Sequence, residues 1–441
     1  MFICNGVSVR LTVFRNTAPF VALLLLLACQ DQLLYEFDEY SRISAPINIQ
    51  FFDSHSGNGF VILNWTTGKQ PVDIMPGSNP SQLPNVTKVR ILMSESNPES
   101  GFGTIFETDR DAEDSLKVEN LVNGKTYYFR VAVYDENGKN FGVSRPIATS
   151  PGSSPVELFS VPSNQSESPV YVTNISWASD NMRIAFIKET AQGRPNIYIY
   201  DVENGNITKV TNYSSGNYRL MSVAWSPNDS LIAYCYTPSI TMAEIDYRIW
   251  TIPTDGNNLR SVTTGRVDFD PTWINDKEML FCRGTYDPPN IPEIYRAEIG
   301  RPSEMMTNSQ LLRKYSPSVN RQSGIIVFSG ESTTSHERLL YTLPLSKGEF
   351  QMLTVNEYWR DIQPSWVEGT TQVVFSSDRS GHYEIWMLEM SSGATKQLTR
   401  GLVNLQRYHA KVSNDAKYFA FLEETASLKA NLKICNFQAL Q

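Results

Sequence analysis

The sequence predicts an all-β protein in two parts: a small two-sheet sandwich, then a ring of six four-stranded sheets, a β-propeller. Three observations carry this. Phe, Tyr and Trp total 50 of 441 residues, while long helical patterns are scarce. Residues 45–149 hold short alternating runs separated by turn signals. From residue 156 onward, one unit recurs six times at intervals of 46 to 48 residues.

The N-terminal segment is an address. Residues 1–28 carry Arg10 and Arg15, no acid, and an apolar run from Ala18 to Ala28 that is too short for a spanning helix. They read as a signal peptide. The ending Leu26-Leu27-Ala28-Cys29 resembles the bacterial lipobox. That resemblance implies a diacylglyceryl thioether on Cys29, cleavage before it and N-acylation, which together anchor a folded domain to a leaflet. Residues 29–44 then form a short acidic tether.

Within 45–149, Gly59 to Trp65, Val89 to Met93 and Thr126 to Val133 read as strands, and Asn137-Gly138 as a turn. Roughly seven strands in this length suggest a two-sheet sandwich. Trp65 and the run Leu121-Val122-Asn123-Gly124-Lys125-Thr126-Tyr127-Tyr128-Phe129-Arg130-Val131 resemble a fibronectin type III domain. The resemblance implies that Trp65 fills the core and that the Tyr127 phenol bonds nearby backbone at the crossover. Both roles are structural. Gly68 to Lys88, with Pro71, Pro76, Pro80 and Pro84, departs from the family and reads as an enlarged loop. Residues 150–155, with Pro151, Gly152 and Pro155, are the clearest linker.

In residues 156–441 the units align on Trp177, Trp225, Trp273, Val319, Trp366 and Val412, which are 48, 48, 46, 47 and 46 apart. Each unit has a short strand ending near Trp, a turn, an apolar strand such as Val373-Val374-Phe375, a loop, and an alternating strand such as Glu384-Ile385-Trp386. A fourth strand follows a Gly turn, as in Gly393 to Thr399. Four strands in each of six units make a six-bladed propeller, whose ring stacking buries the Trp series as core. Gln363-Pro364-Ser365-Trp366 with Phe375-Ser376-Ser377-Asp378-Arg379-Ser380-Gly381-His382-Tyr383-Glu384-Ile385-Trp386 resembles the TolB-type, WD40-like repeat. Ser226-Pro227-Asn228-Asp229 is similar to its turn. Blades four and six depart from it at Val319 and Val412, and blade six also at Lys433, where an aromatic is expected. Blade six lacks an outer strand of its own. Val156 to Val161 alternates and is expected to supply it, closing the ring.

Several functions are excluded or disfavoured. With 38 basic and 46 acidic residues the net charge is −8, and losing Arg10 and Arg15 with the leader makes it −10, so the chain has no nucleic-acid footprint. The five Cys form no CxxC pair and the four His no HExxH pair, so neither a zinc site nor a disulfide framework is expected. Cys235, Cys282 and Cys435 fall in apolar strands and read as buried thiols. No GxSxG, Walker or GxGxxG motif occurs, and no cofactor is implied. A serine peptidase domain would need some 200 further residues after the propeller. The expectation is a non-catalytic, lipid-anchored scaffold of the bacterial cell envelope, at the outer membrane and facing periplasm or surface, that binds envelope protein or polysaccharide. The alternative is a propeller enzyme acting on carbohydrate or peptide at the channel mouth.

The candidate binding face is the channel mouth. Three residues before the Trp position stand Asn174, Ser222, Asp270, Ser316, Gln363 and His409, all polar. Five before stand Val172, Leu220, Asp268, Lys314, Asp361 and Arg407. Asp268, Asp270, Lys314, Gln363, Asp361, Arg407 and His409 are therefore the candidate contacts, with charges that steer a partner. A merely solvated rim is the other possibility.

Overall fold

The computed structural model describes residues 2–4, 7–9, 49–67, 86–110, 112–155, 157–161, 171–189, 194–214, 218–238, 246–265, 267–285, 290–356, 358–401, 405–425 and 430–437. At the N-terminus, Phe2–Cys4 pairs antiparallel with Val7–Val9. Cys29, the tether expected over 29–44 and most of the loop expected over 68–88 lie outside the described residues. Every described element is a strand, and no helix occurs among them.

Alternating burial builds the sandwich. In Phe60–Thr67 the odd residues Val61, Leu63 and Trp65 point inward and are at most 2% exposed. One sheet runs Ile49–Gly57, Phe60–Thr67, Ser115–Val118. The other runs Ile147–Thr149, Tyr127–Tyr134, Lys88–Ser94, Gly103–Asp109, and Asn140–Val143 also pairs with Tyr127–Tyr134. Trp65 packs with Val89, Ile91, Phe129, Val131 and Val133 between the sheets. The Tyr127 phenol accepts the Val122 N–H at 3.0 Å, which ties the crossover to the strand.

The propeller has six four-stranded sheets. Their inner strands are Tyr171–Trp177, Arg219–Trp225, Asp268–Trp273, Leu312–Asn320, Asp361–Trp366 and Leu405–Val412. Each Trp of the series is buried, from 4% exposed at Trp273 to 8% at Trp177. Two of them also fasten their blade to the one preceding it around the ring. The Trp177 indole N–H donates to the Lys411 carbonyl and that of Trp273 to the Ala224 carbonyl, each at 3.0 Å. Cys235, Cys282 and Cys435 are free, buried thiols.

Ring closure follows the sequence expectation. Glu157–Val161 pairs antiparallel with Ala430–Asn436 as the outer strand of blade six, so one sheet holds the first and last strands of the domain. This explains the departure at Lys433. Where the other blades carry Tyr or Trp, Lys433 reaches Glu157 on the closing strand at 2.9 Å.

Residues 150–155 have no regular structure, but they are held in place. Ser150 is fully buried, and its carbonyl accepts Arg400 Nε at 2.8 Å while its N–H donates to Gln397 Oε1 at 2.9 Å. Residues 45–240 and 245–441 accordingly form one compact unit. The closing strand makes a clear test. Deleting 157–161 exposes the edge of Ala430–Asn436 and should lower the thermal midpoint by many degrees. A negligible shift in a melting scan would contradict closure by this strand.

Candidate functional site

The channel is built by a defect repeated six times. In every inner strand the register shifts by one residue against its partner, between Val172 and Ile175, Leu220 and Val223, Phe269 and Thr272, Tyr315 and Ser318, Ile362 and Ser365, and Tyr408 and Lys411. Each is a β-bulge. The extra residue sits at the position three before Trp. Four of those residues adopt the left-handed region: Asp270, Ser316, Gln363 and His409, with φ between 50° and 53°. Pro271, Pro317 and Pro364 follow directly, and a bulge is a place where a strand accommodates proline.

A bulge removes ladder partners, and side chains from the preceding blade supply them. The Val223 N–H donates to Asn174 Oδ1 at 3.2 Å, and the Asp270 N–H to Ser222 Oγ at 3.3 Å. The Ser316 N–H and hydroxyl donate to Asp270 Oδ2 at 2.9 and 3.1 Å. The His409 N–H donates to Gln363 Oε1 at 3.1 Å, while the Gln363 amide reaches His409 Nε2 at 3.0 Å. Blade four supplies a different acceptor: the Gln363 N–H donates to Ser329 Oγ at 2.9 Å. Burial and the Lys411 charge push the His409 imidazole down to about 3, so it is neutral and accepts the amide. Asn174, Ser222, Asp270, Ser316, Gln363 and His409 do line the channel. Much of their polarity serves as a belt between blades.

The set five before Trp is not at the mouth, which corrects the expectation for Asp268, Lys314, Asp361 and Arg407. The bulge inserts a residue and so reverses side-chain parity. Asp268, fully buried, takes Arg283 Nε at 2.6 Å and Nη2 at 2.9 Å. Lys314, also fully buried, donates to Glu293 Oε1 at 2.7 Å. Asp361 accepts Arg379 Nη2 and Ser377 Oγ, both at 2.7 Å. Arg407 bridges Glu384 at 2.8 Å and Glu423 at 2.6 Å. Lys314 and Arg407 join neighbouring blades, Asp268 and Asp361 pair within their own, and none of the four is placed to steer a partner. Leu220 is likewise buried.

The channel's second layer lies one residue before Trp: Ser176, Ala224, Thr272, Ser318, Ser365 and Lys411. It encloses a cavity of about 160 Å³, with Arg321, Glu368 and Asn414 also in its wall. Arg321 and Glu368 pair with each other at 3.2 Å. Ser176 Oγ accepts the Trp225 N–H at 2.9 Å and Ser318 Oγ the Trp366 N–H at 3.2 Å. Sequence reasoning passed over Lys411. The signal was available: Lys411 shares its repeat position with Ser176, Ser318 and Ser365.

A second buried cluster fastens the sandwich to blade five. The loop containing Asp378, Arg379, Ser380 and Gly381 meets the edges of both sandwich sheets. The Ser54 N–H donates to the Ser380 carbonyl at 3.0 Å, and the Ala148 N–H to the Arg379 carbonyl at 2.6 Å. Gly381 has φ of 101°, and a Cβ there would fall 2.6 Å from Asp53 Oδ1. His382 Nδ1 then lies 2.6 Å from Asp53 Oδ1, and its Nε2 lies 2.8 Å from Glu384 Oε1. Burial works against the imidazolium, but the Asp53 and Glu384 carboxylates outweigh it and hold His382 up to about 10. Burial likewise opposes the Glu384 charge, yet Arg407, His382 and Thr399 hold it down to about 2. Burial wins at Asp53, whose carboxyl is raised despite His382. Among the described residues no group of His, Cys, Asp and Glu is arranged to hold a metal ion.

No protein-family model matches the chain, and no curated protein matches it in sequence. Among solved structures it is similar to a putative TolB from Agrobacterium tumefaciens, at 15% identity and TM-score 0.44, covering 61% of this chain and 91% of that one. It is also similar to the β-propeller domain of the trilobed protease from Pyrococcus furiosus, at 11% identity and TM-score 0.43, covering 88% and 95%. An oligogalacturonate lyase in complex with manganese gives 11% identity and TM-score 0.44, covering 89% and 97%. Likeness at this level concerns the fold and carries no activity across.

The buried ions set a pH window for stability. His382, raised from 6.5 to about 10, stabilises fully below 6.5 and loses its contribution as pH rises toward 10. Glu384, lowered from 4.5 to about 2, stabilises fully above 4.5 and loses its contribution as pH falls toward 2. The contribution of this pair should therefore be greatest between pH 4.5 and 6.5. Glu384→Gln leaves His382 and Arg407 short of an anion and should cost roughly 3–5 kcal/mol, removing the acid limb of the difference curve. Equal melting curves for wild type and Glu384→Gln across that range would contradict the assignment.

Proposed function

We propose that the protein is a lipid-anchored, non-catalytic scaffold of the bacterial cell envelope that receives a loop or chain end of an envelope partner in its propeller channel. The observation that carries this is the cavity of about 160 Å³ to which the inner strands of all six blades contribute, lined by hydroxyls and amides together with Asp270, His409, Lys411 and the Arg321–Glu368 pair. A partly open polar funnel of this kind suits a narrow extended segment better than a broad docking surface.

Two further features support it. The Leu26 to Cys29 motif matches a lipidation site, which would tether the propeller to a leaflet, at the outer membrane on this reading. The sandwich, taken as fibronectin type III-like, is bolted to blade five through Ser54, Ala148 and Asp53, so it would present the propeller as a rigid extension.

The test uses full-length protein in membranes. Cys29→Ser should move it from the membrane fraction to the soluble one. Cross-linking should then recover a partner with wild type. Recovery should fail with Thr272→Trp, which fills the cavity from a side chain that lines it. Undiminished capture by a folded Thr272→Trp protein would place the binding surface elsewhere. Turnover of an envelope glycan or peptide by wild type would replace the scaffold reading with a catalytic one.

A further inference from the structure

Lys411 is the channel group whose chemistry the fold does not use up. Its Nζ makes one hydrogen bond, a long one of 3.3 Å to Ser365 Oγ, and no ion pair with any described residue. The other charged groups near it are committed. Asp270, across the ring in blade three, acts on it through space while its Oδ2 holds Ser316. His409 on the same strand is neutral and bonded to Gln363. Arg321 and Glu368 at the cavity wall satisfy each other.

An ammonium drawn out of water without a close counter-charge is costly, and proteins otherwise pair or neutralise it. Here burial pulls Lys411 down to about 8, with Asp270 opposing, so it remains mostly charged at neutral pH. The contrast with Lys314 is instructive. That buried lysine lies against Glu293 at 2.7 Å and donates to the Ser309 carbonyl at 3.2 Å. Lys411 faces an open volume of about 160 Å³, room for on the order of five waters. Around it stand hydroxyl-bearing Ser176, Thr272, Ser318 and Ser365.

We propose that Lys411 is the seat of a carboxylate, carried by a free small acid or by an acidic side chain or terminus of an inserted peptide. The ammonium supplies the charge and the Ser365 and Thr272 hydroxyls are within the same cavity to hold the second oxygen. This rests on the channel being the binding site and names the chemistry it selects. It also explains why a lysine stands where three other blades place serine: one ammonium in a layer otherwise of hydroxyls and Ala224 fixes which end of a segment enters.

Calorimetric titration of full-length protein in detergent tests it with defined probes. The probes are acetate, a capped glycine-serine peptide bearing one glutamate, and the same peptide with glutamine. Wild type should bind the glutamate peptide at least roughly tenfold tighter than the glutamine peptide, the size of one charge-assisted hydrogen bond. Lys411→Met should abolish that preference. In wild type the preference should also fade as pH rises through about 8, a readout that needs no variant to fold. Acetate competing at equal affinity would identify a free small acid as the ligand, and a much tighter peptide would identify an inserted chain. No discrimination between the two peptides, or discrimination that survives in folded Lys411→Met or at high pH, overturns the proposal. Partner capture that fails with Thr272→Trp but persists with Lys411→Met would reject the carboxylate seat alone. Carboxylate binding without any captured partner would reject the scaffold reading alone.

Discussion

The propeller depends on what happens to the backbone N–H groups released by one bulge per inner strand. Left unbonded in a buried strand, each would cost about 1–3 kcal/mol. The fold answers with a side chain from the preceding blade: Asn174 to Val223, Ser222 to Asp270, Asp270 to Ser316, Gln363 to His409. A local irregularity thus becomes a contact between neighbours. Sheets that touch otherwise through apolar faces gain directional bonds at the ring's narrowest radius. The Trp177 and Trp273 indoles repeat the device one layer away.

The same bulge decides which chemistry faces the channel. By reversing parity it sends Asp268, Lys314, Asp361 and Arg407 into the body of the blades, where each finds an opposite charge. It leaves the belt residues and the layer containing Lys411 around the cavity. Buried ion pairs therefore brace the blades, two within a blade and two across neighbours, polar groups link neighbours at the belt, and an ammonium stands in the layer beside it. Sandwich and propeller are joined by a further instance of buried charge, the Asp53, His382, Glu384 and Arg407 chain.

Much of this was legible in the sequence. The Trp-centred spacing predicted six blades, the alternation at residues 156–161 predicted the closing strand, and Trp65 and Tyr127 predicted how the sandwich is filled and pinned. The belt positions were legible as polar residues at one repeat position. What spacing alone could not convey was the parity change, because counting back from Trp by twos assumes an unbroken ladder. Pro271, Pro317 and Pro364 carried that information, since proline inside a strand signals a bulge. The docking role of Ser380, Gly381 and His382 was hidden for another reason. The repeat pattern accounts for those residues within a blade, and their partners Asp53 and Ser54 lie more than 300 positions away.

The central claim is that belt side chains of one blade hold the bulge amides of the next. Residue-resolved amide hydrogen exchange tests it most directly, because exchange reports the opening of individual bonds. The N–H groups of Val223, Asp270, Ser316 and His409 should exchange as slowly as the central strands. Asp270→Ala should speed exchange at Ser316 while leaving His409, whose acceptor is Gln363, protected. Rapid exchange at all four positions in the wild-type protein, with the neighbouring ladder still protected, would contradict the account.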